Sequence, residues 1–204
     1  MKVSHVLYKV EDLDAAVRKF TEEGFVAEYG RSKKPYNALV YFSEGPYLEF
    51  FNNSNMPAPV KGVLRLFGQG AMVDRMNRWE TADEGFIALA LENYRNDLSE
   101  EEGILRRYGH RFFQTSSRRD DTKGRSLRYR VGFPEDLLIP FFMTYFDVDP
   151  KPRGFVHPNG VVGIKSVSFG TKKEYFPLIR ELCDDPILKL FVGEGVRDVE
   201  YRRK

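Results

Sequence analysis

Residues 3–24, VSHVLYKVEDLDAAVRKFTEEG, decide the fold. Val3, Leu7, Val10 and their neighbours read as a first strand. Asp12 then predicts an N-cap, and the helix that follows runs to about Glu23, where Gly24 supplies the stop. One residue is out of keeping: a histidine, His5, stands in the middle of the strand. It is either a core residue with a satisfied ring or half of a site. Working outward, FVAEYG (25–30) reads as a second strand, and NALVYF (37–42) and PYLEFF (46–51) as a pair joined by a tight SEGP turn. The order is β-α-β-β-β.

That order returns further on. A Pro- and Gly-punctuated connector (52–70) and a helical stretch around Met72–Arg78 come first. GFIALALEN (85–93) is then a strand and SEEEGILRRYG (99–109) a helix that either Asp97 or Ser99 can cap, with Ser99 and Glu102 at capping-box spacing and Gly109 as the stop. HRFFQTSS (110–117), RSLRYRV (125–131) and LLIPFFMTYF (137–146) follow as strands. A third, shorter unit reads as strand 161–170, helix 172–183 containing Pro177, and strands 187–193 and 197–203. Identity between the units is slight; the order of elements carries the repeat. The expected organisation is a first βαβββ module over 1–53, a connector over 54–84, a second module over 85–148 and a partial β-α-β-β unit over 149–204. The fold class is α+β.

Composition narrows the function classes. Lys and Arg total 32 against 30 Asp and Glu, so no net charge argues for nucleic acid or an anionic membrane surface. The cluster SSRRDDTKGRSLRYR (116–130) mixes both signs and reads as a solvated hairpin. A single cysteine, Cys183, excludes an intramolecular disulfide framework and sits in an apolar helical context. No signal-like segment opens the chain and no apolar run reaches membrane-span length, so a soluble cytoplasmic protein is expected. With 17 Phe and 11 Tyr, the chain suits a large β core or an aromatic-lined cavity.

The stretches SHVLYKVEDLDAAVRKFTEEGF, NALVYFSEGPYLEFF, IPFFMTYF and HPNGVVGIKSV together resemble the vicinal oxygen chelate superfamily, in its glyoxalase-like branch. The resemblance implies paired modules that form an open, curved mixed sheet around a small-molecule cavity. It also implies a divalent metal (zinc, manganese, nickel or iron) held by two residues from each module. His5 and Glu49 occupy the two ligand positions of the first module. In the second, Ala88 and Pro140 fall at the corresponding places and cannot ligate. His157, in the turn-like HPNG, is an outside donor or simply part of a turn.

Strand parity extends the list. If His5 and Glu49 face the cavity, so do Val3, Leu7, Asn37, Leu39, Tyr41, Tyr47 and Phe51, while Val6, Ala38, Val40, Leu48 and Phe50 face the helix. Asn37 either binds a substrate oxygen or begins its strand; Tyr41 and Tyr47 either bind substrate or pack. The same register turns Ser126, Arg128 and Arg130 to the cavity edge, which would favour an anionic ligand.

Two functional readings follow. One is a glyoxalase-like enzyme binding a small, oxygen-rich, anionic metabolite, with His5 and Glu49 as catalytic residues. They would act either through a metal that polarises a carbonyl, or without one, Glu49 being the general base. The other is a non-catalytic sequestration protein lacking a complete metal site. A homodimer in which first modules pair would rebuild four ligands; pairing of the two modules within one chain is simpler.

Overall fold

The computed structural model describes residues 1–54 and 56–204; Asn55, inside the connector, lies outside the described residues. Strand β1 (Lys2–Lys9) is followed by helix α1 (Leu13–Glu22), and the Asp12 carboxylate accepts the Ala15 N–H over 2.9 Å. Gly24, at φ +82°, turns the chain out of α1 in a conformation that a side chain resists. Strands β2 (Glu28–Tyr29), β3 (Asn37–Val40) and β4 (Tyr47–Phe51) complete the first module. The connector folds as two helices, α2 (Ala58–Leu66) and α3 (Gly70–Thr81); only the second is legible in the sequence pattern.

The second module repeats the order with β5 (Gly85–Asn93), α4 (Ser99–Arg107), β6 (Phe112–Asp120), β7 (Ser126–Pro134) and β8 (Phe141–Thr144). The expected capping box does not form. Asp97 takes the Ser99 N–H over 2.9 Å, and Glu102 instead accepts from Arg106 and Gln114.

β1 and β5 pair antiparallel at the centre of one eight-stranded sheet, ordered β2-β3-β4-β1-β5-β8-β7-β6. Each has its own module's last strand parallel on its far side, β4 beside β1 and β8 beside β5. The two modules therefore join within one chain, in a curled, open half-barrel. A separate three-stranded sheet, β10 (Leu188–Val192), β9 (Val161–Thr171) and β11 (Gly195–Arg203), carries α5 (Phe176–Leu182) and forms the third unit. Pro177 sits in the first turn of α5, where a missing N–H costs no helical bond.

The helix-facing side of the large sheet carries the main apolar core: Val6, Ala38, Val40, Leu48, Phe50, Leu89, Leu91 and Phe142 are buried together. The concave side holds a second buried cluster of Leu7, Phe51, Met72, Trp79, Ala88, Phe133 and Phe141. Val3 departs from its expected face. The register between β1 and β5 slips between Val3, opposite Leu91, and His5, opposite Ala90, so Ser4 is the extra residue of a bulge. Val3 packs with Val6 on the helix side, and Ser4 and His5 meet through their side chains.

Candidate functional site

The concave side of the half-barrel encloses a cavity of about 330 Å³. Its first-module wall is His5, Leu7, Tyr36, Asn37, Leu39, Tyr47, Glu49 and Phe51. Its second-module wall includes Arg119, Tyr129, Val131, Phe133, Phe141 and Met143. Met72, Met76 and Trp79, one stripe of α3 at i, i+4 and i+7, close it from the connector side. Arg75, buried on the same side of α3 beside Trp79, donates to the carbonyls of Pro134 (3.1 Å) and Asp136 (3.0 Å) and fixes the helix across the opening.

At the centre, His5 Nε2 and Glu49 Oε2 are 3.5 Å apart. The His5 ring stacks on Tyr47 with centroids 4.7 Å apart, and Phe141 meets its edge. Burial, with the positive charges of Arg119 and Lys151, pushes the imidazole pKa down to about 3. His5 is therefore neutral across the physiological range, and the contact with Glu49 is not an ion pair. Burial also raises the Glu49 pKa, opposed by a hydrogen bond from Asn37 and by the charge of Arg119. Asn37 Nδ2 donates to Glu49 Oε1 over 2.8 Å, which leaves Oε2 as the oxygen facing His5. Gly30 makes room for that amide: a Cβ there would lie 2.0 Å from Asn37 Oδ1.

Behind His5 lies a second polar chain. Ser4 Oγ is 3.0 Å from His5 Nδ1 and donates to Glu92 Oε2 over 2.6 Å. Glu92 belongs to β5, is 2% exposed, and also accepts from the Tyr94 hydroxyl over 3.3 Å.

Arg119 supplies the positive charge of the cavity. It donates to Gly30 O (2.9 Å) and to the Tyr41 hydroxyl (2.5 Å), and its guanidinium lies 5.4 Å from the Phe146 ring centroid. Tyr41 thus stands behind Arg119 and against Tyr47 rather than on the cavity wall. Arg128 and Arg130 do not line this cavity. They open into an adjoining recess with Tyr94, Arg95, Arg118 and Tyr145, which shares Ser117, Tyr129 and Phe146 with the cavity. The face assignment of β7 is the reverse of the sequence expectation, and Gly132 explains why. A Cβ there would sit 2.1 Å from Phe112 Cζ and 2.9 Å from Leu98 Cδ1, so Gly132 lies against the α4 side. Tyr129, Val131 and Phe133 must then point into the cavity, and the arginines away from it. An apolar alternation cannot by itself tell a helix-covered face from an apolar cavity.

His157 is not a donor to the site. Its Nδ1 accepts the Val26 N–H over 2.9 Å, so Nε2, 3.1 Å from Tyr41 O, carries the proton and donates. Ala88 lies on the concave side opposite Leu7, and Pro140 precedes β8. Among the described residues no group of three or more His, Cys, Asp or Glu could hold a metal ion. One imidazole and one carboxylate, with a guanidinium close by, do not fit a tightly held divalent ion, which needs three or more donors.

The sequence matches the Glyoxalase-like domain family over residues 3–181. The chain belongs to that family. Its fold is that of the vicinal oxygen chelate superfamily. A hypothetical protein from Staphylococcus aureus superposes with a TM-score of 0.65 at 16% identity, over 96% of this chain and 88% of that one. A Mn(II)-bound glyoxalase from Novosphingobium aromaticivorans gives 0.57 at 13% identity, over 98% of this chain and 64% of that one. A methylmalonyl-CoA epimerase from Streptomyces coelicolor, in complex with 2-nitronate-propionyl-CoA, gives 0.43 at 16% identity over 71% and 95%, too loose a likeness to argue from. At these identities the neighbours speak to the fold alone. No curated protein matches the sequence. No helix among the described residues is long and apolar enough to cross a membrane.

Arg119, Ser4 and Glu92 are the site residues that sequence reasoning missed. Arg119 lies two residues beyond the expected end of its strand. Continuing the alternation Thr115, Ser117, Arg119 would have found it.

Proposed function

We propose that the cavity binds a small, oxygen-rich, anionic metabolite, and that Glu49 exchanges a proton with it in lyase- or isomerase-type chemistry. The observation that carries this reading is the asymmetric Glu49 carboxylate. Oε1 is occupied by Asn37, while Oε2 faces the cavity beside a neutral His5. A carboxylate whose pKa is raised toward neutrality is a better base for an acidic C–H than an exposed one. Arg119 would hold the ligand's carboxylate, and Phe51, Trp79 and Met76 its apolar part. The anion expected beside Arg128 and Arg130 has a place in this reading too. Among the described residues neither guanidinium forms an ion pair, and their recess adjoins the cavity, so a longer ligand would reach both. The reading needs neither a resident metal nor a second copy of the chain, because β1 and β5 bring both walls together.

Trp79 is the only tryptophan and lines the cavity, so its fluorescence reports occupancy. Small α-hydroxy and α-keto acids should quench or shift it, with affinity at least about ten-fold weaker in Arg119→Gln, as loss of a charge-assisted bond implies. Bound acids should also exchange the hydrogen next to the carbonyl with D2O in the parent protein and not in Glu49→Gln. Binding with no exchange in either favours the alternative, sequestration without turnover. No binding at all sinks both.

A further inference from the structure

The buried pair Ser4 and Glu92 has no part in the chemistry so far, yet it is the most fully buried polar arrangement next to the cavity. Ser4 is 0% and Glu92 2% exposed. A solvent-excluded carboxylate is costly unless it is bonded, and here the bulge in β1 falls at the residue that makes its shortest hydrogen bond. Without the extra residue, strand alternation would turn Ser4 to the opposite face from His5. With it, both side chains meet, and Ser4 Oγ bridges Glu92 Oε2 (2.6 Å) and His5 Nδ1 (3.0 Å).

The hydroxyl has one proton. The shorter contact, to the carboxylate, takes it, and Oγ then offers only lone pairs to the ring. Nδ1 must be the protonated nitrogen. A neutral imidazole protonated at Nδ1 is bare at Nε2, the nitrogen that faces Glu49 Oε2. We infer that Ser4 and Glu92 are positioning residues that hold His5 in its Nδ1–H tautomer, so that Nε2 stands in the cavity as a hydrogen-bond acceptor beside Glu49. The inference rests on the reading of His5 and Glu49 as the ligand site, but its primary test does not use ligand or turnover. In a catalytic cycle, the proton taken by Glu49 Oε2 would be shared with Nε2 and returned along the same path. No bond other than O–H, N–H and the exchanging C–H is made or broken.

The test is nitrogen NMR of the full chain labelled with ¹⁵N-histidine, near neutral pH. The chain has three histidines, and the signals missing from His5→Gln belong to His5. The expected parent spectrum shows a protonated Nδ1 and an unprotonated Nε2 for that ring. Ser4→Ala should shift the ring toward the Nε2–H form or a mixture, and Ser4→Thr should restore the parent pattern. A parent ring protonated at Nε2 overturns the inference at once, whether or not Ser4→Ala folds. So does a folded Ser4→Ala protein with unchanged ring signals. Where an exchanging acid has been found, Ser4→Ala should also slow its exchange by on the order of ten-fold with little change in Kd. Failure of exchange in the parent beside the expected tautomer would count against the proposed chemistry and leave the positioning role standing.

Discussion

Asn37 donates its side-chain amide to Glu49 Oε1 over 2.8 Å, so the two oxygens of one carboxylate have different work. Burial raises the Glu49 pKa, and the Asn37 bond pulls it back. Removing the donor with Asn37→Leu should therefore move the ionisation midpoint of Glu49 up. A hydrogen bond to a charged group is worth roughly 1.5–3 kcal/mol, or about one to two pH units. Carbon-13 titration of labelled glutamate side chains reads it directly. An unmoved midpoint would mean that Oε1 is solvated, not held.

How much of this was legible in the sequence depends on the residue. The repeated β-α-β-β-β order was, because Asp12, Gly24 and Gly109 punctuate it and the alternation in residues 37–51 is clean. His5, Asn37, Tyr47 and Glu49 come together in the structure because β1, β3 and β4 are adjacent and keep their parity. Val3 was misplaced because a bulge is a two-strand property: nothing in VSHVLY says that the partner strand has one residue fewer. Arg128 and Arg130 were misplaced because Tyr129 and Val131 are apolar on either assumption. The fact that decides between them, Phe112 lying over Gly132, is a long-range contact. The role of α3 as a cover was invisible for the same reason. Its stripe Met72, Met76, Trp79 reads as any amphipathic helix face.

The neutral, buried His5 has a consequence for acid stability. Its folded pKa of about 3 lies below the ordinary histidine value of 6.5. The unfolded chain therefore binds the proton first as pH falls. The stability contributed by keeping this ring neutral is complete above about pH 6.5 and is lost progressively between there and pH 3. Glu49, shifted up by the same burial, acts in the opposite sense: its protonated form is favoured in the fold, and that contribution is lost as pH rises above 4.5. Replacing the ring by an apolar one, His5→Phe, should remove the first dependence. Between pH 6.5 and 4.5 the parent should lose roughly 2–3 kcal/mol more than the variant. Urea unfolding at both pH values compares them. Equal losses would mean that His5 is reached by water.

Gly132 fixes the face of β7, and it should do so at a measurable cost when changed. In Gly132→Ala the new methyl would meet Phe112 and Leu98 in a buried layer. Overpacking of this kind destabilises by roughly 1–3 kcal/mol. Because the clash is mainly with the Phe112 ring, Gly132→Ala combined with Phe112→Leu should recover part of the loss, a non-additive pair. Thermal or urea unfolding of the two single variants and the double variant measures it. Simple additivity would show that Phe112 is not what reserves the space.

The donor set makes a prediction about metals that can be checked without knowing the ligand. Zinc sites use three or four protein donors, and manganese or nickel sites more oxygen and nitrogen ligands than a single imidazole and a single carboxylate provide. Asn37 is already committed to Glu49, and His157 has both ring nitrogens occupied elsewhere. Arg119 adds a positive charge that a divalent ion at Glu49 would have to overcome. After incubation with manganese, zinc or nickel and removal of the excess, the protein should retain well below one ion per chain by elemental analysis. Ligand binding followed by Trp79 fluorescence should be the same with and without a chelator. One ion per chain, abolished by His5→Ala with Glu49→Ala, would overturn the metal-free reading and require donors from water, ligand or a second chain.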